Sequence, residues 1–224
     1  MEQLTVLLAR AGAWVEIWDL NPRGKVFYPS LVKALVGRYQ FQKFPQAAEE
    51  FDENKGVTFA GGLDNDSNTP IEQFIIYVHG IVLETRNSTD ASKAILESMF
   101  QWAANELGVA YRGPQTIRFW QYYSQLSFNS KIQLAAAVHP ALQNLMQGIA
   151  ESVEADSGER LIYEPVNVAL NHDVMLRKHP YGGFSLQRRE NLPFIEGKYF
   201  SDAPLPTDTH IQLLKRFETE MTEG

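Results

Sequence analysis

The sequence contains no cysteine. Disulfides, thiolate metal sites and cysteine nucleophiles are therefore excluded. No run approaches the roughly 18–20 apolar residues that a membrane-spanning helix needs. Residues 1–19 carry Glu2 and Arg10 and lack the basic start and clean apolar run of a secretory leader. Positive charge is in deficit as well, with a formal net charge of −7. Phosphate backbones repel such a surface, which argues against nucleic acid as a partner. A cytoplasmic protein without membrane partners is the expectation.

Signatures of common chemistry are missing too. Gly61-Gly62 and Gly182-Gly183 are glycine pairs without the Lys and Ser/Thr, or the third glycine, of a phosphate loop. No Gly-x-Ser-x-Gly elbow is present. The five histidines, at 79, 139, 172, 179 and 210, show no metal-ligand spacing. Asp64, Asp66 and Asn68 alternate as at the start of a calcium loop. The sixth position is Thr69 instead of Gly, and the twelfth is Ile75 instead of Glu. A polar hairpin loop is the simpler reading. No cofactor and no metal is expected. His79 reads as a turn residue, and His139 and His210 as exposed residues at helix starts. His172 beside Asp173, with His179 nearby, is the one placement that suits a general base. Glu49, Glu50, Asp52 and Glu53 read as a solvated face.

At 224 residues, 44% hydrophobic and 21% charged, the chain has globular composition. Residues 71–108 are its best-specified part. Two β-branched and aromatic runs flank His79-Gly80, a two-residue turn. Asn87-Ser88-Thr89-Asp90 offers N-caps. Ile95, Leu96, Met99, Ala103 and Leu107 then recur at helical spacing, and Gly108 ends the helix. Two more helices are predicted. Leu142, Leu145, Met146, Ile149 and Val153 stripe residues 140–153. Ile211, Leu214, Phe217 and Met221 stripe residues 207–221.

The opening predicts two strands, 4–9 and 14–18, about an Ala11-Gly12 turn. A short helix starts at Pro29-Ser30 and stops at Gly37, followed by a strand around Tyr39 and Phe41. Further strands are predicted at 56–60, 116–128, 161–170 and 184–189, with Pro165 confining the third to an edge. Strand-then-helix order occurs at both 71–108 and 116–153, but the sequences are too unlike to define a repeat. The expected fold class is α+β: an antiparallel or mixed sheet with about three helices packed mainly on one face. One domain over 1–224 is expected. Two lobes, 1–112 and 113–224, hinged at Arg112-Gly113-Pro114, are the alternative.

Residues 107–150 depart from the ordinary charge pattern. They contain Arg112, Arg118 and Lys131, no Asp or Glu, six aromatic residues and eight Gln or Asn. Interface cores are composed this way, and so are buried central strands. Trp120 and Tyr122, on one strand face, with Arg118, are the candidate interface. Arg177, Lys178, Arg188 and Arg189 form the candidate basic cluster. Three function classes stay open. The first is a non-enzymatic interaction protein that binds itself or another protein. The second is a small-ligand-binding domain, and the third an enzyme with dispersed catalytic residues.

Overall fold

In a computed structural model of the chain, Glu2–Trp14 is one unbroken strand, β1. The description covers residues 1–21, 28–159, 161–173, 175 and 181–223. Ala11 and Gly12, expected to turn the chain, lie in mid-strand. Pairing overrides their local preference. From Ala9 to Trp14, β1 is flanked on both sides by antiparallel partners, so the backbone groups around Ala11-Gly12 are satisfied in the sheet. Ala9, Ala11 and Ala13 share one face and are at most 1% exposed. Their small side chains let a helix lie close against the sheet.

The remaining elements are α1 (Ile17–Leu20), α2 (Tyr28–Tyr39), β2 (Val57–Asp64), β3 (Thr69–Tyr77), β4 (Gly80–Thr85), α3 (Thr89–Leu107), β5 (Phe119–Asn129), α4 (Pro140–Ser157), β6 (Asn167–Leu170), β7 (Phe184–Arg188), β8 (Lys198–Ala203) and α5 (Thr207–Glu223). All eight strands form one antiparallel sheet in the order β2-β3-β4-β1-β5-β8-β7-β6. The fold is α+β, with five α-helices among the described residues where about three were expected.

That strand order reads alike from either edge. Β1-α2-β2-β3-β4-α3 and β5-α4-β6-β7-β8-α5 are two units of the same topology, related by a pseudo-two-fold axis between β1 and β5. Ala9 faces Ser124 near this axis. Outward from it, Arg10 pairs with Glu84 in one unit and Gln125 with Asp202 in the other. The repeat is real in topology, with boundaries unlike the 71–108 and 116–153 segments whose order first suggested it. Thr89-Asp90 recurs as Thr207-Asp208, but Ala9 and Ser124, Arg10 and Gln125, and Leu83 and Ser201 are unlike residues at equivalent positions, which is why the sequence conceals it. Thr89 and Thr207, which open α3 and α5, exchange hydrogen bonds at the axis. Thr89 N–H donates to Thr207 Oγ1 at 3.0 Å, and Thr207 N–H donates to Thr89 Oγ1 at 2.8 Å.

Helix α3 follows its sequence signals. Ser88 Oγ accepts from Ala91 N–H, and Gly108 closes the helix at φ 67°. Ser92 Oγ donates to Ala9 O at 2.9 Å and lies 2.9 Å from Thr85 Oγ1, pinning the first turns of α3 to β1. Ile95, Leu96, Met99 and Phe100 are buried beneath it. Helix α2 runs through Gly37 to Tyr39, whose ring is buried, so Tyr39 belongs to a helix instead of the expected strand. Near Phe41 the chain makes only an isolated bridge, Lys43 to Ala60. The hairpin β3–β4 and the strand β7 stand where expected, while the edge strand β6 covers only the last four residues of the expected 161–170 and begins after Pro165. Strand β8 carries inward Tyr199, Ser201 and Ala203. The inward serine broke the apolar alternation by which this strand could have been found.

Replacing Thr207 with Val keeps the side-chain shape and leaves the buried Thr89 amide without its acceptor. A loss of about 1–3 kcal/mol is expected in urea unfolding at neutral pH. A loss below roughly 0.5 kcal/mol would show that the exchange carries no weight.

Candidate functional site

Helix α4 is the point at which the two units differ most. Its counterpart α2 buries Val32, Leu35 and Tyr39. Helix α4 is 18 residues long and buries none of its side chains. It is well formed: Pro140 stands in its first turn, His139 Nδ1 accepts from Ala141 N–H, and Gly158 closes it at φ 71°. Its apolar stripe nevertheless faces outward, with Leu142 42%, Leu145 57% and Ile149 39% exposed. Met146 and Val153 are half-buried. An amphipathic helix gains most of its stability by covering such a stripe. The chain beyond α4 continues the exposure at Leu161, Ile162, Tyr163 and Val166.

Charge on α4 is one-sided. Residues 140–150 carry none, and Glu151, Glu154 and Asp156 crowd the last seven residues. Carboxylates at a helix C-terminus oppose its dipole, and a partner helix N-terminus beside them would offset that.

The residues singled out in β5 lie elsewhere. Trp120 and Tyr122 are half-buried on the α3 side of the sheet and pack against the larger core cluster. Lys93 Nζ sits 5.3 Å over the Trp120 ring. Burial raises the Tyr122 pKa. Arg118 pairs with Glu16 at 2.7 Å and Asp19 at 3.6 Å. The charge-poor stretch 107–150 therefore divides into a sheet strand and an uncovered helix. Arg188 and Arg189 diverge. Arg188 is buried beside Glu164 at 3.0 Å, with its guanidinium 4.5 Å from the Phe194 ring centre, whereas Arg189 is exposed against Phe200. Arg177, Lys178 and His179 lie outside the described residues. The His172 ring meets the backbone carbonyls of Tyr181 at 3.0 Å and Asp173 at 3.3 Å, and the Asp173 carboxylate is turned to Met175 N–H. Asp64 closes the β2–β3 turn by accepting from Ser67 N–H and Oγ. Among the described residues, no three His, Asp or Glu side chains gather as a metal site.

A pocket of about 260 Å³ lies between α2, α3 and strands β3 and β4. Leu35, Phe74, Ile76, Leu96, Phe100 and Trp102 are among its walls, and among the described residues no ionisable side chain lines it. The expected α3 stripe ends here: Ala103 and Leu107 line the space without being buried.

The sheet face away from the helices carries a polar track over five strands. Glu84 accepts from Arg10 Nε at 2.6 Å, and the Arg10 guanidinium lies 5.5 Å over the Tyr123 ring. Asp202 accepts from Tyr123 Oη at 3.0 Å, Gln125 Nε2 at 2.8 Å and Ser185 Oγ at 3.0 Å. Burial, then the bond to Asp202, pushes the Tyr123 pKa up to about 12. Both carboxylates are occupied by the protein's own donors.

Across the sheet, His210 on α5 is fully buried, contrary to the exposure expected of it. Its Nδ1 is 2.8 Å from Ser124 Oγ and its Nε2 is 2.8 Å from Ser201 Oγ. Ser201 Oγ donates to Ser185 O at 2.7 Å, so it accepts from Nε2–H. A neutral ring has one N–H, so Nδ1 is an acceptor, and the single Ser124 hydroxyl hydrogen has both Nδ1 at 2.8 Å and the Leu205 carbonyl at 3.1 Å within reach. No solvent reaches either serine, and the trio clamps α5 to β5 and β8. Its position corresponds to that of Ser92 in the other unit.

Neither protein-family models nor curated proteins match this chain. No helix among the described residues is long and apolar enough to cross a membrane.

Burial holds the His210 pKa down to about 4, against an ordinary value of 6.5. The unfolded chain takes up this proton first as pH falls. Stability from this group is complete above pH 6.5 and declines toward pH 4, by about 1.4 kcal/mol per pH unit. Denaturant titrations across that window should show the slope in the native chain and a shallower one in His210→Asn. Equal slopes would rule out His210 as its source.

Proposed function

We propose that the protein is a non-enzymatic, self-associating interaction protein, in which two copies pair through α4 laid antiparallel on the α4 of the partner. The uncovered stripe Leu142–Leu145–Ile149 carries this reading. Large apolar side chains grouped on one helix face mark interaction surfaces. The fold itself supports it, because the equivalent helix α2 does bury its stripe. The charge layout is consistent with a second copy and supports the antiparallel direction. The acidic C-terminal end of each helix then meets the uncharged N-terminal end of the other, where the dipole is positive. Helix α4 is about 27 Å long at 1.5 Å per residue, long enough to form the centre of a standard interface of about 800 Å² per partner. Such a pair is isologous, so each substitution acts twice. A cytoplasmic setting accompanies this reading.

Sedimentation equilibrium tests it. The native chain should give twice its 25.4 kDa mass at micromolar concentration. Leu145→Glu and Ile149→Glu should give the single-chain mass, with unchanged far-UV circular dichroism, because both side chains face solvent in the protomer. A native chain that stays monomeric up to about 100 µM, a free energy weaker than about −5.5 kcal/mol, overturns the proposal. So does a dimer that both substitutions leave intact.

A further inference from the structure

We infer that the pocket between α2, α3 and strands β3 and β4 is a binding site for a small, uncharged, largely apolar molecule, the size of a fused pair of aromatic rings. This site is separate from α4 and does not depend on self-association.

Volume sets the size. A cavity of 150 Å³ takes up benzene, so 260 Å³ accommodates roughly ten non-hydrogen atoms. The lining sets the chemistry. Aliphatic walls from Leu31, Leu35, Ile76, Ile81, Leu96 and Met99 surround aromatic edges from Phe74, Phe100 and Trp102. A charged ligand would lose its hydration there and meet no counter-charge among the described residues. Water would find few hydrogen-bond partners in the same space.

The polar side chains on the lining, Asn21 and Ser30, come from the segments that flank α1 and begin α2. The Ser30 hydroxyl suits a ligand with one hydroxyl or carbonyl at its outer end. Apolar walls with a few placed polar groups are the usual build of a small-molecule site. The inner walls are rigid. Leu35, Phe74 and Leu96 belong to the main core cluster, and the strands beneath are paired on both sides. The space is therefore held open by the fold.

The probe is 2-naphthol, titrated calorimetrically into the full chain. Saturable binding at one site per chain is expected, with a rise in melting temperature, since a ligand bound only to the native state stabilises it. Ala103→Phe projects a ring into the pocket and should weaken binding by at least about ten-fold. Leu107→Trp, at the rim, gives the same readout if Ala103→Phe loses its native far-UV spectrum. Leu145→Glu should bind as the native chain does, which separates the pocket from adsorption on α4. Absence of saturable binding overturns the inference. Binding that survives both filled variants, or that is lost in Leu145→Glu alone, also overturns it.

Discussion

The antiparallel pairing of β1 with β5 is the contact on which the rest of the structure depends. It joins two units of equal topology into one sheet and places their helices side by side. Each central strand has a second partner, β4 or β8, that leads directly into a helix. The first residues of those helices then meet at the axis, where Thr89 and Thr207 satisfy each other's amides. Four N-terminal amides of any helix lack partners within the helix. Here one amide from each helix is satisfied by the other unit, which ties the two units together at the sheet's centre.

Equal topology does not give equal packing. The unit built on β1 gathers Tyr39, Phe41, Phe59, Phe74 and Leu96 into a large core, and α2 helps to close it. The unit built on β5 centres on Leu126, Phe128, Leu186, Tyr199 and Leu214. Ser124, Ser201 and His210 occupy the places near the axis where the first unit has Ala9, Leu83 and Ser92. Polar groups at that depth are acceptable because every hydrogen is placed. Helix α4 is left outside this second core. An apolar surface that no internal element covers is what a partner would cover.

What the sequence made legible depended on how local the deciding interaction was. Helix α3 was readable because Ser88, the apolar stripe and Gly108 all lie within it. The β3–β4 hairpin was readable for the same reason. Strand β1 was not, since Ala11-Gly12 has turn chemistry and only pairing with Ser124 and Thr85, far along the chain, keeps Ala9 and its neighbours extended. His210 looked exposed because its partners come from β5 and β8. Helix α4 was found as a helix, with its stripe correctly placed. Periodicity reveals that one face is apolar; it carries no information about what lies against that face. The same limit applied to Trp120 and Tyr122, whose shared face was legible and whose cover by α3 was not.

The alanine row of β1 has a mechanical consequence. Ser92 fastens one end of α3 to Ala9, while Leu96 to Leu107 toward the other end form a wall of the apolar pocket. Helix α3 is thus a lever hinged at β1, and the side-chain thickness at Ala11 and Ala13 sets the height of its long arm. A single added methyl group under the hinge would be magnified along the helix and would change the width of a space that the altered residue never touches. The pocket's dimensions are in this sense written in the first strand of the chain.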